Sequence, residues 1–166
     1  IDVVVNCMQV AKSGVPVNEL GLSDLDLARD TGLKAAFCWM KACYPHLRDS
    51  RGCILNFVSR AGREGRCGQA PLAVSKEALR ALSMVAASEW RTEGIRVNCI
   101  DALVRTAQFE KWAQEFPESY EALMAELGPA ALVSLEELGD FCVRIAASNA
   151  SGQTFSCGGS DGAAYP

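Results

Sequence analysis

The sequence is poor in the features that mark metal and membrane proteins. Its 166 residues contain a single histidine, His46, and no two of its eight cysteines have the two-residue gap of a zinc or redox site. We therefore expect no metal ion. No apolar run reaches about 18 residues, so no membrane-spanning helix is predicted. The chain starts with apolar residues and has no basic lead, which is unlike a signal peptide.

An excess of positive charge is also missing. The chain has 16 lysines and arginines against 20 acidic residues, for a net charge of −4, and its basic residues are scattered. A nucleic-acid partner is therefore not expected. The length predicts one domain over residues 1–166. The cysteines lie mostly in apolar patterns, which predicts buried free thiols in a reducing cytoplasm.

What the chain does contain is an alternation of short apolar runs with longer helical patterns. Apolar strands buried on both faces, separated by helices, are typical of a parallel α/β sheet. We expect a Rossmann-like, doubly wound parallel sheet. The predicted strands are 2–6, 53–58, 95–100 and 154–157, and the predicted helices are 26–47, 71–92, 107–127 and 134–147.

Two details of the helices carry further predictions. Ser134 and Glu137 have the spacing of a capping box, which predicts the start of the last helix. Helices 26–47 and 71–92 are apolar on more than one face, as helices with two neighbours usually are. We therefore expect each of these two helices to have two neighbours to bury against.

Several segments resemble the short-chain dehydrogenase/reductase family. They are Gly52 to Ser59, Gly94 to Asn98, Ser151 to Thr154, and Cys157 with the glycine pair that follows it. The resemblance implies a nicotinamide-dependent oxidoreductase fold. It also places the family's catalytic serine at Ser59 and its catalytic lysine at Lys76.

The family's other active-site positions are changed. Leu72 stands where the resemblance places the catalytic tyrosine, and Gly32 stands at the active-site asparagine. Asn6 alone remains of an Asn-Asn-Ala-Gly motif, and Asp101-Ala102 replaces a Pro-Gly pair. Leucine cannot donate the proton that the tyrosine supplies. We interpret Ser59 as a strand-end cap and Lys76 as a solvated or ion-paired residue, both vestigial.

The resemblance also implies that the family's nucleotide-binding part precedes residue 1 and is missing or not given. No glycine-rich turn opens a first βαβ unit, and Gly62, Gly65 and Gly68 form an ordinary loop after the serine strand. We expect this chain to bind no cofactor itself. Residues 1–5 are expected to form an uncovered sheet edge that other residues, a partner or a rearranged terminus must shield.

Three functions remain open. The leading hypothesis is a non-catalytic, cytoplasmic subunit that assembles through helices 26–47 and 71–92 with an active, NAD(P)-binding family member, as a hetero-oligomer and most simply a tetramer. The implied precedent is the CoA-thioester alcohol dehydrogenase of benzylsuccinate oxidation, whose substrate is a hydroxyacyl-CoA. The alternatives are the C-terminal part of an NAD(P)-dependent oxidoreductase with an atypical active site, and a small-ligand module using Phe109, Trp112 and Phe116.

Overall fold

One mixed sheet organises the chain. The computed structural model describes residues 1–128 and 131–158 and the backbone of residues 164–165. The strands lie in the order β1-β2-β3-β4-β5; the first four are parallel, and β5 is antiparallel to β4. This confirms the α/β sheet and its four predicted strands, whereas β5 was not expected. The strands are β1 (Val3–Asn6), β2 (Cys53–Phe57), β3 (Arg96–Ala102), β4 (Thr154–Cys157) and β5 (Ala164–Tyr165).

Helices join the parallel strands. A π-helical turn, Arg29–Lys34, connects α1 and α2, so the predicted helix 26–47 is part of a longer helical run. Short 3-10 turns lie at Val17–Glu19 and Arg91–Glu93. The helices are α1 (Leu22–Ala28), α2 (Ala35–Ser50), α3 (Ala61–Glu64), α4 (Ala70–Glu89), α5 (Ala107–Glu115), α6 (Pro117–Leu127) and α7 (Leu135–Ala147).

The helical region predicted over 107–127 is confirmed in extent, but it consists of two helices, because the chain breaks at Phe116. Phe116 has non-helical backbone angles, and Pro117 occupies the first position of α6. Proline is well suited to a first helical turn and disruptive inside a helix, so it separates α5 from α6. The predicted cap of α7 is confirmed: the Ser134 amide donates to Glu137 at 2.8 Å, and the Glu137 amide donates to the Ser134 hydroxyl at 3.1 Å.

Apolar side chains cover the sheet on both faces. The face under α2 and α4 includes Met40, Leu47, Ile54 and Val97, and the face under α7 includes Cys53, Leu55, Ile100 and Ile145. Each of the strand residues among these is 1% exposed or less. The doubly covered sheet explains why β2 and β3 are apolar along almost their whole length.

A buried polar network ties β1, β2 and α4 together. Asn56 is fully buried at the centre of this network. Its side-chain oxygen accepts from the Asn6 amide at 2.8 Å, and its amide donates to the Ser83 hydroxyl at 2.8 Å. The Ser83 hydroxyl then donates to the carbonyl of Leu79 at 2.7 Å. The network satisfies the polar groups that this part of the interior contains.

The prediction that the cysteines are buried free thiols is confirmed in part. All eight cysteines are free; four are buried and Cys142 is half-buried, but Cys7, Cys38 and Cys67 are exposed, contrary to expectation for those three. They lie in loops or on an outward helix face, where no apolar layer covers them.

In the described part of the sheet, β1 pairs on one side only, and Val3 and Val5 are 43% and 50% exposed.

Candidate functional site

A cavity of about 930 Å³ lies at the carboxyl end of the parallel strands. Carboxyl ends of parallel strands meet at one edge of a sheet, where α/β proteins commonly bind ligands. Ser59, which follows β2, and Leu72, near the start of α4, both line the cavity. The opposite wall comes from α5 and the break after it, through Phe109, Trp112 and Phe116. The structure thus brings together five of the residues named from sequence.

Ser59 and Leu72 offer the cavity little chemistry. The Ser59 hydroxyl accepts a hydrogen bond from the Ala61 amide at 3.2 Å, which caps the short helix α3. Leu72 presents hydrocarbon at the position that the resemblance assigns to a phenol. Leucine neither titrates nor forms a hydrogen bond, so this position cannot transfer a proton.

Lys76 lies beneath the site and not in solvent. It is 6% exposed, and its ammonium group donates to the carbonyl of Phe57 at 2.7 Å. The interpretation of Lys76 as a solvated or ion-paired residue is therefore wrong, because α4 packs against the end of β2 and buries it. Burial lowers the pKa of Lys76 to about 8 from 10.5, since the charged form loses hydration.

Gly32 lies in the π-helical turn and is packed against Gln9. A β-carbon on Gly32 would lie 2.8 Å from the Gln9 side-chain amide and 2.8 Å from the Ser75 hydroxyl. Both polar atoms of the Gln9 amide are buried, and neither has a hydrogen-bond partner among the described residues. In the resembled family, position 9 is a glycine and position 32 an asparagine. The departures at positions 9 and 32, which look independent in the sequence, are therefore in contact. The longer side chain is on the helix in the resembled family and on the loop in this chain.

A second contact joins Arg60 and Asp101. Asp101, at the end of β3, is 2% exposed, and its carboxylate lies 3.7 Å from Nε of Arg60. An Nη of Arg60 donates to the carbonyl of Gly158 at 3.1 Å. Sequence analysis missed Arg60, although its position directly after Ser59 placed it at this edge. The arginine connects the ends of three neighbouring strands and also lines the cavity.

Asn6 and the glycine loop have structural partners. The side chain of Asn6 points into the sheet interior and donates to Asn56, so that amide is already engaged. In the loop after Ser59, the carbonyl of Gly68 accepts from the Gly14 amide at 2.9 Å. The α-carbon of Gly14 would lie 3.0 Å from a β-carbon on Gly68, and Gly68 has φ +70°, so this close crossing requires glycine. Gly159 lies outside the described residues.

The described ranges 1–128 and 131–158 contain neither a metal-ion cluster nor a membrane-spanning helix. Among these residues no group of three histidine, cysteine or acidic side chains is placed to hold a metal ion. In the same part of the chain, every helix is too short or too polar to cross a membrane.

Comparisons with known proteins identify the family to which the chain is similar. Residues 1–162 match the model of the family described as Enoyl-(Acyl carrier protein) reductase. The chain is 42% identical over 121 residues to a 12alpha-hydroxysteroid dehydrogenase from a Clostridium species, covering 73% of this chain and 47% of that protein. It is 28% identical over 131 residues to the (2S)-[(R)-hydroxy(phenyl)methyl]succinyl-CoA dehydrogenase subunit BbsD of Thauera aromatica, covering 78% and 50%.

A solved structure shows the same fold. ElxO with NADP bound superposes with a TM-score of 0.83 at 21% identity, covering 93% of this chain and 64% of ElxO. The cofactor is a property of ElxO, and at this identity the likeness shows the fold alone. The chain spans about half the length of the curated relatives it matches.

Proposed function

The chain belongs to the short-chain dehydrogenase/reductase family, and we propose that it serves there as a non-catalytic subunit of an active, NAD(P)-dependent member. The observation that carries this proposal is Leu72 in the wall of the cavity, where the family reaction needs a proton donor. The position of Lys76 supports it, because the ammonium group is buried against a backbone carbonyl.

The contact between Gln9 and Gly32 is a second support. An asparagine placed at position 32 would collide with Gln9 as the chain now stands. The catalytic position is therefore not merely substituted but filled by a neighbouring side chain. Such filling keeps the π-helical turn packed, with the asparagine of the helix replaced by a glutamine amide from the loop.

The outer faces of α2 and α4 offer the assembly surface. Phe37, Trp39, Val74 and Val85 are 47%, 60%, 61% and 54% exposed. Between the two helices lies a cleft of about 240 Å³, with almost wholly apolar walls. Exposed apolar surface of this kind commonly marks a protein interface. We propose that the equivalent helices of an active partner cover it, most simply in a tetramer.

The relatives support a proposal for the partner's cofactor and substrate. We propose that NAD(P) is bound by the active partner and not by this chain. BbsD of Thauera aromatica is named as a subunit of a dehydrogenase acting on a substituted succinyl-CoA. A hydroxyacyl-CoA is therefore our proposed substrate class for the assembly.

Native purification tests the assembly. The protein is isolated from its own cells, and the intact mass of each component of the complex is measured. We expect a second, larger chain with a glycine-rich turn and a Tyr-x-x-x-Lys motif. Trp39→Glu on α2 should release this chain, whereas Val143→Glu, at a 68% exposed position on α7, should leave the complex intact.

The competing hypothesis is an oxidoreductase with an atypical active site. It predicts nicotinamide-dependent turnover by the natively purified protein without a second chain, and a further increase with Leu72→Tyr. Either a stable, partner-free monomer or such turnover would contradict the proposed subunit function.

A further inference from the structure

The cavity combines an apolar body with a few charged groups, the cations Arg60 and Arg66 and the anion Glu115. Leu72, Phe109, Trp112 and Leu123 contribute hydrocarbon and aromatic surface to its lining, and Arg60 is among its charged residues. A volume of about 930 Å³ falls within the range of roughly 300–1,000 Å³ that small-molecule sites occupy. Apolar walls with a small number of polar groups are typical of sites that hold small molecules by their apolar part and orient them by their polar part.

Arg60 and Arg66 both line this cavity, but their partners differ. Nε of Arg66 lies 2.5 Å from the Glu64 carboxylate, and its Nη lies 3.6 Å from Glu126. Arg66 is thus placed between two carboxylates. Among the described residues, Arg60 donates one hydrogen bond, to the backbone carbonyl of Gly158, and its Nε lies 3.7 Å from the Asp101 carboxylate, within ion-pair distance but too far for a hydrogen bond.

A guanidinium group carries five N–H donors in a planar fork. Both arginines have an acidic neighbour, but Arg66 donates a hydrogen bond to its carboxylate, whereas Arg60 has donors that its carboxylate neighbour Asp101 does not engage. Arginine matches the two oxygens of a carboxylate, and such charge-assisted hydrogen bonds are stronger than neutral ones. The polar end of a bound molecule is therefore best satisfied by a carboxylate.

We propose that the cavity binds an apolar molecule with a terminal carboxylate. The apolar body lies against Leu72, Phe109 and Trp112, and the carboxylate accepts hydrogen bonds from Arg60. The inference rests on the proposed function only in that the molecule is held and not converted. It concerns this chain's own residues, so its test is independent of whether a partner is found.

Calorimetric titration of the natively purified protein provides that test. The probes are dodecanoate and dodecan-1-ol below their aggregation concentrations, which share one apolar body and differ at the head group. We expect saturable binding of dodecanoate and about tenfold weaker binding of the alcohol, the factor that one charge-assisted hydrogen bond supplies. Equal affinities, or no saturable binding of dodecanoate, would overturn the inference.

Paired variants locate the head group. Arg60→Gln combined with Asp101→Asn neutralises both partners, so that no buried charge is left alone. We expect this double variant to reduce the dodecanoate affinity to that of the alcohol and to leave alcohol binding unchanged, which also shows that the cavity is intact. Arg66→Gln is the matched control and should change either affinity by less than about threefold. A larger loss with Arg66→Gln than with the double variant would also overturn the inference.

Discussion

The interior of the sheet and its carboxyl edge differ in whether a buried side-chain amide is hydrogen-bonded. In the interior, both polar ends of Asn56 have partners on neighbouring elements. At the edge, the amide of Gln9 is buried against a glycine, and neither of its polar atoms is hydrogen-bonded to any residue that the structure describes. A buried polar group without a hydrogen bond lowers the stability of the fold, so the edge carries an energetic cost that the interior does not.

The difference shows where folding constrains the sequence. The residues that hold strands and α4 together match the family pattern, including the first asparagine of its motif. At the edge, by contrast, two departures contact each other, Gln9 and Gly32, and a third, Asp101, lies beside Arg60. A change at one position is tolerable where a neighbour changes shape or charge to match it. The changed positions 9 and 32 are thus packed against each other.

The interior network should be the most sensitive part of this comparison. Asn56→Leu leaves the Asn6 amide and the Ser83 hydroxyl without their partner, and we expect it to lower the free energy of unfolding by about 3 kcal/mol. Asn18→Leu, at an exposed position, should change it by about 0.5 kcal/mol or less. Urea denaturation measures both. A loss below about 1 kcal/mol for Asn56→Leu would remove the contrast between interior and edge.

Lys76 links the two regions, and its burial predicts a pH dependence. Its folded pKa, about 8, lies below the unfolded value of 10.5, so between these pH values the unfolded chain holds a proton that the folded chain has released. The free energy of unfolding therefore rises with pH across this window, by up to about 3 kcal/mol relative to Lys76→Met. Urea denaturation at several pH values measures it.

Lys41→Met provides the control for this pH profile. Lys41 is exposed on α2, so the variant should keep the wild-type dependence. Identical profiles for wild type and Lys76→Met would contradict the burial of the ammonium group.

The edge itself is tested by Gly32→Asn. The new β-carbon would lie 2.8 Å from Gln9, and overpacking of this kind should cost about 2 kcal/mol of unfolding free energy. Adding Gln9→Gly should recover at least half of that loss. Gly139→Asn in α7 is the control, because a β-carbon there meets no atom within 4 Å, and it should not destabilise. Additive effects in the double variant would show that positions 9 and 32 are not a compensating pair.

The smallest effect on folding is expected at the proposed assembly surface. Trp39→Ser changes a side chain that is 60% exposed on the isolated chain, so the free energy of unfolding should change by about 0.5 kcal/mol or less. Met40→Ala, at the next position, removes a side chain that is 2% exposed and should cost about 3 kcal/mol. Thermal denaturation of the two variants compares them. Equal losses would place Trp39 in the chain's own core.

Local patterns were enough to predict much of the fold. Continuous apolar runs predicted β2 and β3, and Ser134 with Glu137 predicted the start of α7, because strand burial and helix capping depend on residues close in sequence. Pro117 indicates a break between α5 and α6, but the helical spacing of apolar residues on either side favoured one continuous helix. The two-residue strand β5 has no such pattern.

By itself, the sequence determined the parallel sheet, and it has a leucine, Leu72, at the position that the resemblance assigns to the catalytic tyrosine. Only the tertiary structure decided that Gln9 contacts Gly32, that Arg60 lies beside Asp101, and that Lys76 is buried against Phe57. The physical reason is distance along the chain. Secondary structure and caps arise between near neighbours, whereas these contacts join residues about 20 to 40 positions apart, brought together only when parallel strands align their carboxyl ends.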